Sequence, residues 1–369
     1  MLLNAEQKAL VWLSAAEVTA GHVMQLREEY SSALGVWEAF GSENGPKFRP
    51  GTHSTLKKLH SASAMEDLLG RMERKNVNLL FEDDPAYPEL LRSIQDPPYL
   101  LYYAGRLSCL EKPMVAVVGT RRASTYGIEM AGMLARGLCE ADVCVVSGLA
   151  RGIDAAAHEA ALYAGGRTVG ILGSGINVPY PPEHTQLLRK IAGGIGLILS
   201  EYPLDAGPIA FHFPHRNRLI AGLCRGVVLV EGPVKSGGMH TVHAALMQGR
   251  QVFAVPGRVG SFGSEGPHAI LREGARIITS AQDLLEDLDL APVAPEKKKT
   301  GRSERIKLTH TQRAVVSALR IEPAGMQELS EKLQIGSGEL MTELGTLEIM
   351  GVIRREAGNR FYLPLAARK

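Results

Sequence analysis

The sequence predicts an α/β protein with a parallel, doubly wound sheet at its core, a small helical N-terminal domain and a winged-helix C-terminal domain. Three observations predict it. Short apolar runs alternate with helical stretches from about residue 77, and Gly-rich turns end many of those runs. After a charged linker come three short helical segments and a hairpin pattern.

Residues 1–75 are mostly helical in pattern, with Leu10, Leu13, Val18, Val23, Leu26, Leu34 and Trp37 at irregular helical spacings. A gap containing Gly and Pro at 41–51 divides this region, and nothing in it carries obvious chemistry. The central domain is assigned to 76–288. Its candidate strands are 77–81, 99–103, 114–118, 143–146, 168–172, 196–200, 226–230 and 251–255, with helical segments 127–140 and 153–164 among them. Ligands of such sheets bind at the carboxyl ends of the strands, where the Gly-rich turns fall. Prolines and a dense charge run make 289–307 a linker. Within 308–369, helices are expected at 309–320, 326–333 and 338–350, and a hairpin turns at Gly358 and Asn359.

Composition narrows the class. The chain has 369 residues, 45% hydrophobic and 22% charged, with a net charge of +2, so a nucleic-acid footprint has to be a local patch. The four cysteines, Cys109, Cys139, Cys144 and Cys224, have no paired metal spacing and are expected to be reduced. The start of the chain does not read as a secretory signal, and no apolar run reaches about 18 residues. A soluble cytoplasmic protein with no membrane contact is expected.

Four segments carry chemistry. The first runs from Val117 to Gly127 and holds Gly119, Thr120, Arg121 and Arg122 between a strand and a helix start. Its amides and arginines suit a phosphate, and the alternative is a capped turn with two solvated arginines. It lacks the dinucleotide-binding glycine spacing. The second holds Ser147, Gly148, Arg151, Gly152 and Asp154, with His158 one turn on. The loop is a nest for phosphate, and Asp154 with His158 is read as a cap and a structural pair rather than metal ligands.

The third segment runs from Phe211 to Gly222. Phe211 and Phe213 beside Arg216, Asn217 and Arg218 suit single-stranded nucleic acid, with rings for bases and guanidinium groups for phosphates. Structural ion pairs of the two arginines are the alternative, and His212 with His215 is too isolated to suggest a metal. The fourth segment holds Glu231, Lys235, Ser236, Gly237, Gly238 and Thr241, followed by 254–258 after the next strand. These line the same crevice or serve the turn.

Taken together, these segments resemble the DprA/Smf family. The matching stretches are Val-Gly-Thr-Arg, Ser-Gly-Leu-Ala-x-Gly-Ile-Asp-x-x-x-His, Tyr180-Pro-Pro, Ser200-Glu-Tyr-Pro, Phe213-Pro-x-Arg-Asn-Arg, Ser-Gly-Gly and Ala-Val-Pro-Gly. The resemblance implies an extended Rossmann-like domain that binds single-stranded DNA in a basic pocket. It further implies dimerisation, loading of RecA recombinase onto incoming DNA during natural transformation, and no cofactor. Arg121, Arg122, Arg151, Arg216 and Arg218 are the implied cationic contacts. This chain departs from the family pattern at Ser236-Gly-Gly-Met-His-Thr241 and at His268, where the family often has Asn.

Two other classes compete. A phosphoribohydrolase-like enzyme would need an acid or base, and only Asp154 and Glu231 are convenient, so no catalysis is expected. A nucleotide-sensing regulator would read duplex DNA through 338–350, but that segment carries Glu339, Glu343 and Glu348 and no Lys or Arg. Arg354, Arg355 and Arg360 on the wing are its remaining support.

Overall fold

The computed structural model describes residues 2–290, 308–356 and 358–364; most of the expected linker lies outside them. The chain divides into two compact units, 1–293 and 294–369.

The first unit is built on nine strands: β1 (Asn78–Phe81), β2 (Leu100–Gly105), β3 (Met114–Val118), β4 (Cys144–Ser147), β5 (Thr168–Leu172), β6 (Leu197–Ser200), β7 (Gly226–Leu229), β8 (Gln251–Ala254) and β9 (Arg276–Ile277). Their spatial order is β1-β2-β6-β5-β4-β3-β7-β8-β9. From β6 to β9 every pairing is parallel. The chain therefore winds outward from β3 to β6, then returns to the other side of β3 with β7. That reversal between β3 and β7 opens a crevice at the strands' carboxyl ends.

The sheet is not parallel throughout, as the apolar runs alone had suggested. β1 pairs antiparallel with β2, and β2 antiparallel with β6. Only the four-residue helix Glu89–Arg92 lies between β1 and β2, so no crossover helix carries the chain back for a parallel pairing. The central strands are buried along their whole length, β3 and β4 without exception. Helices on both faces cover them, which is why they read as unbroken apolar runs.

Five N-terminal helices, Ala5–Ala15, Ala20–Tyr30, Ala33–Ala39, Pro50–Leu59 and Ala62–Arg74, surround Trp12. Its ring meets the edges of Trp37 and Phe40 at 5.0 and 5.1 Å, and its indole N–H donates to the Leu56 carbonyl. This core continues into the sheet through Phe81, Leu100 and Tyr102, and reaches Leu204 beyond β6. Arg71 also pairs with Asp205 at 2.5 Å. The helical segment thus braces the loop that leads to the crevice.

The second unit has helices His310–Ile321, Met326–Leu333 and Ser337–Ile349, with β10 (Ala324–Gly325), β11 (Arg354–Glu356) and β12 (Arg360–Tyr362) in the order β10-β12-β11. That is a winged-helix arrangement. Gly358 and Asn359 both take left-handed backbone angles, as the tight turn between β11 and β12 requires. Two wing arginines face acids, Arg355 with Glu348 and Arg360 with Glu328. Among the described residues, no helix is long and apolar enough to cross a membrane.

Candidate nucleic-acid interface

The crevice between the ends of β3 and β7 has a volume of about 830 Å³. The turn after β3, the start of the His212–Gly222 helix and the turn after β7 contribute most of its lining.

The turn after β3 brings Gly119, Thr120, Arg121 and Arg122 to the crevice. A methyl group on Gly119 would lie 2.6 Å from both the Glu231 carbonyl and Ile153 Cγ1, so this close approach needs glycine. Ser124 caps the Thr125–Glu140 helix, its hydroxyl accepting from the Gly127 N–H at 3.1 Å. The anion at this helix start is internal. The Glu231 carboxylate accepts from the Ser124 N–H at 2.9 Å and from the Ser124 hydroxyl. Arg121 and Arg122 stay exposed, and the Arg121 guanidinium lies 6.0 Å from the Phe213 ring centroid.

The loop after β4 is also filled from within. Asp154 accepts from the Gly148 N–H at 3.0 Å and the Ala150 N–H at 3.4 Å, taking the place expected for a phosphate. Burial raises its carboxyl, against the pull of Arg216 and of these amides. Ser147 is fully buried and donates to the Val117 carbonyl, so it holds β4 to β3. Gly152 has φ +75 and packs on the Thr120 carbonyl, 2.3 Å from where a Cβ would sit. Arg151 is exposed and paired with Glu183. Asp154 and His158 do not pair with each other. His158 donates from Nδ1 to the Thr168 hydroxyl at 2.7 Å, which itself donates to the Val145 carbonyl. Burial, aided by His184, pushes the imidazole down to about 3, so it is neutral.

The His212–Gly222 helix sends its residues to two faces. Phe213 lines the crevice against Tyr180, with ring centroids 5.2 Å apart. Arg216 lines the floor but is only 5% exposed. It donates to the carbonyls of Gly148 and Ile171 and to Asn217 Oδ1. Burial lowers its guanidinium to about 10, with Asp154 opposing, so it keeps its charge. Asn217 donates to the Gly237 carbonyl and ties this helix to the next turn. Arg218 is not part of the crevice lining; it pairs with Asp96 at 3.3 Å and Glu201 at 2.6 Å. Phe211 is 72% exposed, stacks on His215 and is likewise absent from the lining. His212 stacks on Tyr202 and His215 lies between Asp96 and Glu201, so neither shares a ligand set. Among the described residues no cluster of three metal-ligating side chains occurs.

The turn after β7 differs. Lys235, Ser236, Gly237 and Gly238 all line the crevice, and the Gly237–Met247 helix starts there without a side-chain cap. The Met239 N–H donates to the Ser236 carbonyl at 3.1 Å, while Gly237 and Gly238 bring the first turn of the helix to the crevice. Among the described residues the buried Ser236 hydroxyl has no hydrogen-bond partner, and Lys235 is exposed. A methyl group on Gly238 would lie 3.1 Å from Gly119 Cα, so this turn packs directly on the one after β3. His268, at the other departure from the family pattern, donates to the Gly257 carbonyl at 3.0 Å and fixes the neighbouring loop. Phe262 joins the lining unannounced by any sequence signal, whereas Tyr180 and His240 enter it from stretches compared with the family pattern.

A family model described as DNA recombination-mediator protein A matches residues 78–289, and one for a DprA winged helix domain matches 301–359. Among curated proteins, the chain is 46% identical over 206 residues to DNA processing protein DprA of Streptococcus pneumoniae, covering 56% of this chain and 72% of that one. It is 40% identical over 237 residues to Protein Smf of Escherichia coli, covering 63% of each. Among solved structures, DprA of Streptococcus pneumoniae superposes with a TM-score of 0.64 at 34% identity, over 78% of this chain and 99% of that one. DNA processing protein A of Helicobacter pylori, described for its unique single-stranded DNA binding mode, gives 0.52 at 32% identity over 57% and 95%.

Proposed function

We propose, starting from the fact that this chain belongs to the DprA/Smf family of DNA-processing proteins, that it binds single-stranded DNA in the β3–β7 crevice and does not turn it over. One observation carries the reading. An uncapped helix start, three exposed cations (Arg121, Arg122 and Lys235) and an aromatic pair (Phe213 and Tyr180) line one crevice. Amides and cations take phosphates, and rings take unstacked bases. The Helicobacter pylori relative's single-stranded DNA binding supports the same ligand.

The absence of turnover is argued from the two carboxylates at the site. Asp154 and Glu231 each accept two hydrogen bonds that hold a turn in place. Both are committed to holding backbone turns, which argues against a general-base role. Protection of incoming DNA, RecA loading in natural transformation, a homodimer and a cytoplasmic location follow from family membership as parts of this proposal.

The test is binding of a fluorescent single-stranded oligonucleotide, against duplex of the same sequence, across a salt series. Single-strand preference with affinity falling steeply as salt rises is expected. Equal affinity for both forms, or no salt dependence, overturns the reading.

A further inference from the structure

We propose that Phe262 is a nucleobase-stacking residue, separate from the Phe213–Tyr180 pair, and that it helps the crevice prefer single strands. The inference rests on the crevice being the single-strand site.

Phe262 lines the crevice and is 69% exposed. Its ring meets no other aromatic ring among the described residues, so it adds little to the core. Its loop is nonetheless held firmly. The Gly232 N–H donates to the Gly263 carbonyl at 2.7 Å, and the Gly266 N–H to the Gly232 carbonyl at 2.8 Å. Tyr126 donates to the Pro256 carbonyl and His268 to that of Gly257. A methyl group on Gly257 would lie 2.1 Å from Ser264 Oγ, so the loop is folded tightly on itself. A ring that lines the crevice on an already fixed backbone loses little freedom when a ligand packs on it.

The ligand's chemistry follows from the ring's neighbours. Phe213 packs on Gly173, just past β5, whereas the Phe262 loop is bonded to Gly232, just past β7. Two strands, β4 and β3, lie between, which places the strand ends that anchor the two aromatic positions roughly 14 Å apart at ordinary strand spacing. Rings with anchors this far apart suit separate bases rather than the two faces of one. Arg121 and the open turn at Ser236 to Gly238 lie in the same crevice. A strand whose phosphates engage those groups presents one base to each ring. In a duplex both faces of each base are already stacked on neighbours, so Phe262 finds no partner there.

The experiment measures binding of an oligothymidylate and of an equally long oligonucleotide with abasic sites throughout, to the wild-type chain, Phe262→Ala and Phe262→Trp. Phe262→Ala is expected to bind oligothymidylate about tenfold more weakly, with Phe262→Trp restoring it. On the abasic strand all three should bind alike, and the thermal midpoint should not move. Unchanged oligothymidylate binding by Phe262→Ala overturns the inference, as does an equal loss on the abasic strand. If the wild type itself shows no single-strand preference, the parent reading fails instead.

Discussion

The turns after β3 and β4 differ from the turn after β7 in what occupies their backbone amides. Glu231 fills the first and Asp154 the second. Among the described residues, the Gly237–Met247 helix start has no capping side chain and carries a buried, unpartnered hydroxyl on Ser236. The cations divide the same way. Arg216 and Arg218 are committed to protein oxygens, whereas Arg121, Arg122 and Lys235 are exposed at the crevice. A strand-end turn therefore attracts anions by its geometry, but an internal carboxylate converts that attraction into rigidity. Two turns build the walls, and the third keeps its attraction for a ligand.

The largest test of that division is Arg216→Ala. It takes a guanidinium donor from the buried Gly148 and Ile171 carbonyls and removes the charge that pulls against the burial of Asp154. Leaving a buried acceptor without its donor costs about 1–3 kcal/mol, so the urea midpoint should fall sharply. Arg216→Lys should not rescue it, because one ammonium cannot reproduce the planar fork. A normal midpoint with lost DNA binding would instead make Arg216 a ligand contact and break the distinction.

Acid sharpens the same contrast with a smaller effect. His158 lies in the helix that follows the filled β4 turn, and its folded-state pKa, about 3, is below the ordinary 6.5. The unfolded chain binds this proton more readily. His158 thus contributes stability that is complete above pH 6.5 and lost as pH falls toward 3, at up to about 1.4 kcal/mol per pH unit. Asp154, whose carboxyl is raised, acts in the opposite sense, so the effect is read as a difference between the wild type and His158→Gln. The two thermal midpoints should converge as pH drops from 6.5. Parallel curves would mean that His158 is not held neutral.

The sheet was legible because its central strands are buried on both faces and so appear as unbroken apolar runs. β9 was not, since Arg276 and Ile277 are both exposed. Strand direction was not legible either, because an apolar run is the same read up or down; the antiparallel β1 and β2 depend on the short connection between them. At the site, the turns were visible as Gly-rich stretches, but not their occupants. Glu231 meets Ser124 across 107 positions, and nothing near either residue announces it. For the same reason Arg216 and Arg121 look equivalent in sequence, while folding buries one and exposes the other. Phe262, in a short stretch of Gly and Ser, carries no periodicity at all.

The smallest effect on binding is expected from Arg218→Ala, and it is informative beside Arg121→Ala and Lys235→Ala. Each exposed cation that meets a phosphate should reduce the single-strand salt slope by about 0.7 when removed, with stability changed by no more than about 0.5 kcal/mol. Arg218 faces Asp96 and Glu201, away from the crevice lining, so its removal should leave the salt slope unchanged. Its cost should appear in the urea midpoint instead, because two carboxylates lose their shared cation. A reduced slope for Arg218→Ala would place phosphate on the other face of the His212–Gly222 helix. The path of the strand would then run over that helix rather than through the open turn after β7.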